Sequence, residues 1–390
     1  MKFELNDGVL TLFLEGRIDS NNAQSVETDI IGLYEFHKHE KTVLDLGALD
    51  YISSAGLRTV LRLKKMDPSL KLINVKSEVY EIFDMTGFTE MMTIEKAYKK
   101  ISIEGCEEVG HGANGKVYRI DNDTIVKVYN DPDCLDDIKR ERALAKKAFV
   151  LGIPTAISYD IAKVGDSYGT VFELLESKSF AKLLKEDVKN IDKYVDMYVD
   201  LLKKIHATKC DDDDMVDMRQ TAINWAQFDK EYLPVEIGEK LVSLVKAVPH
   251  DSHMLHGDFH IKNVMMQKNE VLLIDMDTLC VGNPIFELGS MFNAYKGFST
   301  SDHNRVKDFL GIDYDTSEKF WYLSLKKYLG IDDMDKILEI EKKAAIIGYM
   351  RLLRRKIRRG GLEDQEGRKL VDLYASKLTE LVPQVDTLLI

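Results

Sequence analysis

This 390-residue sequence predicts an α/β domain followed by an α+β unit. Three observations carry that prediction. Through the first hundred residues, short apolar strands alternate with helix starts, as in a layered α/β domain. A glycine-rich stretch, residues 110–117, then lies between two strand-like runs. Helical runs follow, at residues 134–149 and again from near Asp335.

The first domain, residues 1–100, opens with an apolar strand at 9–14 that ends at Gly16. Asp19 and Ser20 then offer an N-cap to an amphipathic run through His37. Residues 42–46 (TVLDL) form a short buried strand, and Ser53-Ser54 opens a second helix. Residues 71–75 form another strand, and 78–87 a third helix closed by Gly87.

Beyond the junction, Gly110-His-Gly112-Ala-Asn-Gly115-Lys-Val117 spells G-x-G-x-x-G-x-V. In a dinucleotide fold the third glycine opens a helix. Here residues 117–120 lead into Asp121-Asn-Asp and then 124–129, which is strand, tight turn, strand. The pattern fits a hairpin whose glycine loop folds over phosphates. Lys127 shares a strand face with Ile125 and Tyr129, because side chains alternate with period two. A lysine on an apolar face needs a compensating charge. In the helix predicted over 134–149, Ile138, Glu141, Ala145 and Ala148 form one stripe, so Glu141 faces inward as a partner for Lys127.

His256-Gly-Asp258-Phe-His-Ile-Lys-Asn263 precedes a strand predicted at 271–277 that carries Asp275 and Asp277. A loop Asp, an amide and a strand-end Asp, in that order, suit phosphoryl transfer. One carboxylate sits beside an attacking hydroxyl, while an amide oxygen and a second carboxylate hold Mg²⁺ against phosphates.

Taken in order, these residues resemble the aminoglycoside phosphotransferase and choline kinase group of the protein-kinase-like superfamily. The resemblance covers about residues 101–295, with a helical tail to the end. It implies a bilobal fold, with a β-rich N-lobe at 101–176 and a helical C-lobe at 177–390. It implies that Asp258 is the catalytic base and that Asn263 and Asp275 are the Mg²⁺ ligands. Gly110, Gly112, Gly115, Val117, Lys127 and Glu141 would hold ATP or GTP, and Glu173 and Leu175 would belong to the hinge that meets the base. Asp277 and the segment Gly282-Asn-Pro-Ile-Phe-Glu287 resemble the family's post-metal segment, with Glu287 where Asp is usual. HGD and Asp-Met-Asp favour the small-molecule branch, whereas the glycine loop is closer to the protein-kinase form.

The first hundred residues resemble a STAS domain, the anti-sigma-factor-antagonist fold, through Asp45-Leu-Gly-Ala-Leu-Asp-Tyr-Ile-Ser-Ser54-Ala-Gly-Leu57 and Ile82-Phe-Asp-Met-Thr-Gly-Phe88. That resemblance implies a protein partner and makes Ser54 the matching position for a regulatory phosphate. The family's preceding Asp is Ser53 here. The simpler account of Ser53 or Ser54 is a helix N-cap.

Composition narrows the rest. An apolar share of 45% without a membrane-length run predicts a protein that does not enter a bilayer. The N-terminus lacks a signal pattern, and the four scattered cysteines suit reduced thiols in a cytoplasm and form no zinc site. A formal charge of −12 argues against nucleic acid as a partner. Arg351, Arg354, Arg355, Lys356, Arg358 and Arg359 cluster at a predicted helix end, where cations suit the dipole. The sharper alternative for that cluster is an anchor for an anionic substrate or acidic partner. The acidic run at 211–214 is a loop or, as the resemblance allows, a receptor for a cationic acceptor. A short junction near residues 99–104 tethers the two parts at high effective concentration.

The function expected is ATP- and Mg²⁺-dependent phosphoryl transfer to a hydroxyl of a small molecule, with the STAS part regulating or recruiting. A kinase acting on Ser54 or on a partner's STAS domain, and a non-catalytic nucleotide-binding regulator, are the alternatives.

Overall fold

A computed structural model of the chain describes residues 1–111, 115–174, 177–212 and 214–390. The first part is a five-stranded sheet of β1 Lys2–Asn6, β2 Val9–Ile18, β3 Lys41–Ile52, β4 Lys71–Val75 and β5 Ile94–Lys96, neighbours in that order. β1 and β2 pair antiparallel, and the remaining neighbours pair parallel. Helices α1 Ala23–Phe36, α2 Ser54–Met66, α3 Ser77–Met85 and α4 Phe88–Met91 make the connections. Alternation does the sorting: Leu10, Leu12 and Leu14 of β2 and Leu44 and Leu46 of β3 point into one apolar core. Each such leucine contributes about 1.5–3 kcal/mol by leaving water.

Several sequence expectations need correction in this domain. The edge strand β1 was not expected; the turn Asp7-Gly8, at φ 49° and 76°, closes a hairpin of the Asp-Gly type. β2 does not end at Gly16 but continues through a bulge there, with glycine at φ 70°. α1 starts at Ala23 after Asn22, because Asp19 and Asn22 spend their side chains on a turn (Asp19 N to Asn22 Oδ1, 2.8 Å; Asn21 N to Asp19 Oδ1, 2.8 Å). β3 is twelve residues long rather than five.

The chain then enters a six-stranded sheet of β6 Lys99–Lys100, β7 Glu107–His111, β8 Gly115–Arg119, β9 Thr124–Tyr129, β10 Ser158–Val164 and β11 Ser167–Glu173. Its spatial order is β6-β10-β11-β9-β8-β7. Helix α5, Leu135–Val150, lies between β9 and β10 and buries Ile138, Ala145 and Ala148, the stripe expected of it. The junction is therefore not a free linker: β6 pairs parallel with β10, and the Ile101 amide donates to the Lys163 carbonyl.

The remainder is mostly helical. β12 Ser177–Ser179 leads to α6 Phe180–Glu186, α7 Ile191–Ala207, α8 Met218–Asp229 and α9 Val235–Ala247. β13 Met254–Leu255, β14 Val264–Gln267, β15 Glu270–Leu273 and β16 Cys280–Val281 follow. Helices α10 Pro284–Tyr295, α11 Asn304–Leu310, α12 Tyr314–Leu329, α13 Met334–Arg358 and α14 Gln365–Leu381 complete the chain. α10 is the central helix, buried continuously from Ile285 to Tyr295. It packs closely on α13 because Gly289 has no side chain: a Cβ there would lie 2.4 Å from Ile347 Cγ2. That close contact fixes where Glu287, Ser290 and Arg351 project. Among the described residues no helix is long and apolar enough to cross a membrane.

Candidate active site

The site begins on β9. Val117 pairs with Lys127 across β8 and β9, and Thr170 pairs with Lys127 across β9 and β11, so the lysine projects from a sheet secured on both edges. Gly115 faces Tyr129 in the same ladder; a Cβ on it would lie 2.2 Å from the Val128 carbonyl oxygen, so only glycine permits this approach. The Lys127 ammonium lies 3.2 Å from Glu141 Oε1 on α5 and 2.8 Å from Asp275 Oδ1. The Tyr129 hydroxyl donates to Glu141 Oε2 (2.8 Å), which orients that carboxylate. Burial would push the Lys127 proton off, but Asp275 and Glu141 outweigh it and raise the pKa.

Opposite this face, residues 256–263 form a loop between β13 and β14. It is held from below by Glu287, which is fully buried on the first turn of α10. Glu287 accepts hydrogen bonds from the backbone amides of His256 (2.5 Å), Gly257 (3.1 Å) and Phe259 (3.4 Å). Burial pushes the Glu287 carboxyl up, but His206, His256 and the Gly257 amide overcome this and hold it below its usual value. From the other side, Ser290 Oγ donates to the Gly257 carbonyl (2.9 Å) and so does Arg351 Nη1 (2.8 Å). Tyr198 donates to the Phe259 carbonyl, and Tyr295 accepts from the Ile261 amide. With so many charge-assisted contacts, the loop is preorganised before any ligand arrives.

On this loop Asp258 is partly open, and His260 Nε2 lies 3.4 Å from its Oδ2. Burial tends to raise the Asp258 carboxyl, yet His260, Arg351 and His256 bring it down to about 2, so it is ionised throughout the neutral range. Asn263 Nδ2 donates to the Asp258 carbonyl (3.0 Å), which commits the nitrogen and leaves Oδ1 for another group. The hairpin of β14 and β15 pairs Val264 with Leu273, and the Ile274 amide donates to the Asn263 carbonyl. Asn263 and Asp275 consequently flank the open end of one hairpin. The strand predicted at 271–277 stops at Leu273; Asp275 instead occupies the left-handed region at φ 66°, ψ 66°, and a 3₁₀ turn at Met276–Thr278 follows. A non-glycine residue held there stores strain that the surrounding contacts must overcome.

Asp277 is pushed up to about 6 by burial, with Asp275 and Glu141 adding to the effect. A carboxyl raised by neighbouring negative charge marks a place that suits a cation. Among the described residues no group of three or more His, Cys, Asp or Glu side chains could hold a metal alone. One amide and one carboxylate fit Mg²⁺, which usually keeps waters and takes phosphate oxygens as further ligands.

Of the residues singled out from sequence, Lys127, Glu141 and Asp275 are in direct contact, Asp258 and Asn263 are hydrogen-bonded to each other, and Gly110, Gly115 and Val117 lie on β7 and β8. Glu173 ends β11. Gly112 and Leu175 lie outside the described residues. Ser54 sits in the first domain as the first residue of α2, while Ser53 is its cap, accepting from the Ala55 and Gly56 amides. The acidic run is a loop in which Asp212 pairs with Lys147 of α5; Asp213 lies outside the described residues. His260 beside Asp258 is not among the residues singled out from sequence, and Arg351 stands there only within the basic cluster, not as a support for the Gly257 carbonyl. Arg351 lies 94 residues from the carbonyl it holds, so no local spacing could reveal it.

A fold with this site is that of a phosphotransferase. The phosphotransferase enzyme family model matches residues 105–320, more than half of the chain, and the chain belongs to that family. Its N-terminal part is a STAS domain, matched over residues 1–101. Over 92 residues the chain is 38% identical to BtrV of Bordetella bronchiseptica, named as an anti-sigma factor antagonist, covering 23% of this chain and 78% of that protein. Aminoglycoside phosphotransferase APH(4)-Ia, solved with ADP and hygromycin B, is similar in fold over 73% of this chain and 97% of its own, with TM-score 0.50 and 10% identity. A choline/ethanolamine kinase family protein from Mesorhizobium loti matches over 71% of this chain and 87% of its own, with TM-score 0.46 and 12% identity.

Proposed function

We propose that this phosphotransferase moves the γ-phosphoryl group of ATP, or of GTP, to a hydroxyl of a small molecule, and that its STAS domain regulates or recruits the activity. The carrying observation is the Lys127 ammonium held between Glu141 and Asp275. A cation so restrained is poised to contact the α- and β-phosphates beneath the hairpin that carries Gly110, Gly115 and Val117, and Gly112 is proposed to share in holding those phosphates. The backbone at Glu173 and Leu175 would meet the base. Asn263 and Asp275 would hold Mg²⁺, which when bound would neutralise charge on the transferring group. Asp258, ionised and fixed by His260, accepts the hydrogen bond of the incoming hydroxyl, aims its oxygen and takes its proton as the new bond forms. In this reading residues 1–100 are the STAS part, 101–176 the nucleotide lobe and 177–390 the acceptor lobe. Four free cysteines, three of them buried, suit a reducing cytoplasm.

The test is ATP turnover across a panel of hydroxyl acceptors by wild type and Asp258→Asn. Loss of about 10²–10⁴-fold in the variant, with Mg·ADP affinity kept, is expected of a positioned base; equal turnover rejects the assignment.

One observation favours a second reading, a kinase acting on STAS domains. Ser53 takes the capping role, and among the described residues the exposed Ser54 hydroxyl makes no hydrogen bond. A phosphate on Ser54 would lie at the positive end of the α2 dipole. Intact mass after incubation with Mg·ATP decides: an added phosphate that Ser54→Ala abolishes supports transfer in cis, and an unchanged mass removes it.

A further inference from the structure

Beside Asp258 the chain, whose formal net charge is −12, carries a concentrated positive stripe. Arg351, Arg354, Arg355 and Arg358 of α13 recur at the i, i+3, i+4, i+7 spacing of one helix face, a length of roughly 10 Å at 1.5 Å per residue. The stripe starts at the catalytic loop, where Arg351 Nη1 reaches the Gly257 carbonyl (2.8 Å) and Ser290 Oγ (2.7 Å). Aromatic rings underlie it: Arg351 and Arg354 lie 5.8 and 5.7 Å from the Trp225 ring centre, and Arg355 lies 5.8 Å from that of Phe298. Asp258 and Arg355 are close enough to influence each other's charge.

Within the chain the stripe is only partly offset, by Asp258, whose charge reaches Arg351 and Arg355. Among the described residues the arginines within 4.0 Å of a carboxylate are Arg62 and Arg142, neither on α13. The carboxyl whose charge reaches Arg354 is Asp229 at the end of α8. It is fully buried, neither oxygen has a hydrogen-bond partner among the described residues, and burial pushes it up to about 9 against the pull of Arg354. At pH 7 it is protonated and cancels no charge. The helix dipole accounts for Arg355 and Arg358 in the last turn but not for Arg351 and Arg354. Like charges at i, i+4 also repel, so the arrangement destabilises the free helix.

We propose that the stripe binds the acceptor, and that the hydroxyl compound phosphorylated at Asp258 is a polyanion bearing phosphate or carboxylate groups. This rests on the phosphotransfer reading above. The step is ordinary: the acceptor oxygen bonds to the γ-phosphorus, the bond to the β–γ bridging oxygen breaks, ADP leaves with the electron pair, and the hydroxyl proton passes to Asp258. The planar guanidinium forks supply bidentate contacts to phosphate or carboxylate, and the aromatic rings hold those forks in place.

Trp225 gives a direct readout, since the chain has two tryptophans and Trp321 is fully buried. The full chain, saturated with Mg·ADP, is titrated at fixed ionic strength with inositol hexakisphosphate as a polyanionic probe and tobramycin as a polycationic one. Inositol hexakisphosphate is expected to shift Trp225 emission and to bind wild type about 10-fold or more tightly than R355E/R358E, whose melting midpoint serves as the folding control. Equal affinity for the two proteins, or tighter binding of tobramycin than of the polyanion, overturns the proposal. Asp258→Asn separates the two claims: it is expected to keep polyanion binding, so undiminished turnover by that variant defeats the phosphotransfer reading alone.

Discussion

The Lys127 ammonium lies 2.8 Å from the Asp275 carboxylate, although 148 residues separate them in the chain. β9 delivers the lysine, and the strained residue after β15 delivers the acid. In the reaction proposed, that carboxylate turns to Mg²⁺ and the lysine to phosphate, so each group is the other's placeholder until nucleotide arrives.

Glu141→Gln should therefore weaken nucleotide binding without unfolding the protein, because Lys127 keeps Asp275. An increase of about 10-fold in the Mg·ADP dissociation constant, near 1.4 kcal/mol, is the expected size. Lys127→Ala should do more, since Asp275, Asp277 and Glu141 then repel without a counter-ion. Calorimetric titration of both variants checks this, and wild-type affinity in both would contradict it.

Glu287 makes acid stability predictable. Its folded pKa is held below the usual 4.5, so it stabilises the fold above that value and the contribution disappears as pH falls through the folded pKa. Glu287→Gln should be less stable than wild type at pH 7 by about 3 kcal/mol, the order expected when a buried charge network is broken. The gap should narrow below about pH 4.5. Melting midpoints measured from pH 7 to pH 3 test the trend, and a constant gap speaks against it.

Asp229 has the opposite sign. Its folded pKa is raised to about 9 from the usual 3.8, so its favourable contribution is complete below 3.8 and is lost as pH rises toward 9. Asp229→Asn, which does not ionise, should melt higher than wild type at pH 8 and at nearly the same temperature at pH 4. A difference independent of pH would mean that the carboxyl is not buried as described.

Gly115→Ala should force β8 away from β9, because the added carbon meets the Val128 carbonyl oxygen at 2.2 Å. A loss of about 1–3 kcal/mol in stability is expected from such overpacking, together with weaker Mg·ADP binding. Wild-type values for both would show that the hairpin can widen freely.

Legibility in the sequence followed the range of the physics. Lys127 and Glu141 lie fourteen residues apart on a strand and helix with clear periodicity, and their pairing could be anticipated. The order from Asp258 to Asn263 and Asp275 was readable because one short hairpin carries it. Where tertiary contacts decide, the sequence was silent. The β15 strand was overextended because Ile274, Asp275 and Met276 continue its apolar rhythm while the backbone turns left-handed at Asp275. β1 was missed because its residues are all exposed, although Asp7-Gly8 announces the turn. Arg351 stood out as charge, not as a support for Gly257, because only the packing of α10 on α13 creates that relation.

β6 gives the seam between the two parts a mechanical character. Tyr98 packs edge-on against Tyr168, and Lys99 and Lys100 cover the outer rim of β10. A chain trimmed to begin at residue 105 would strip this selvedge and leave β10 as a bare border open to pairing with a neighbour. Excision of the kinase half in soluble, monomeric form therefore calls for a cut upstream of Tyr98, so that β6 stays on the border of β10.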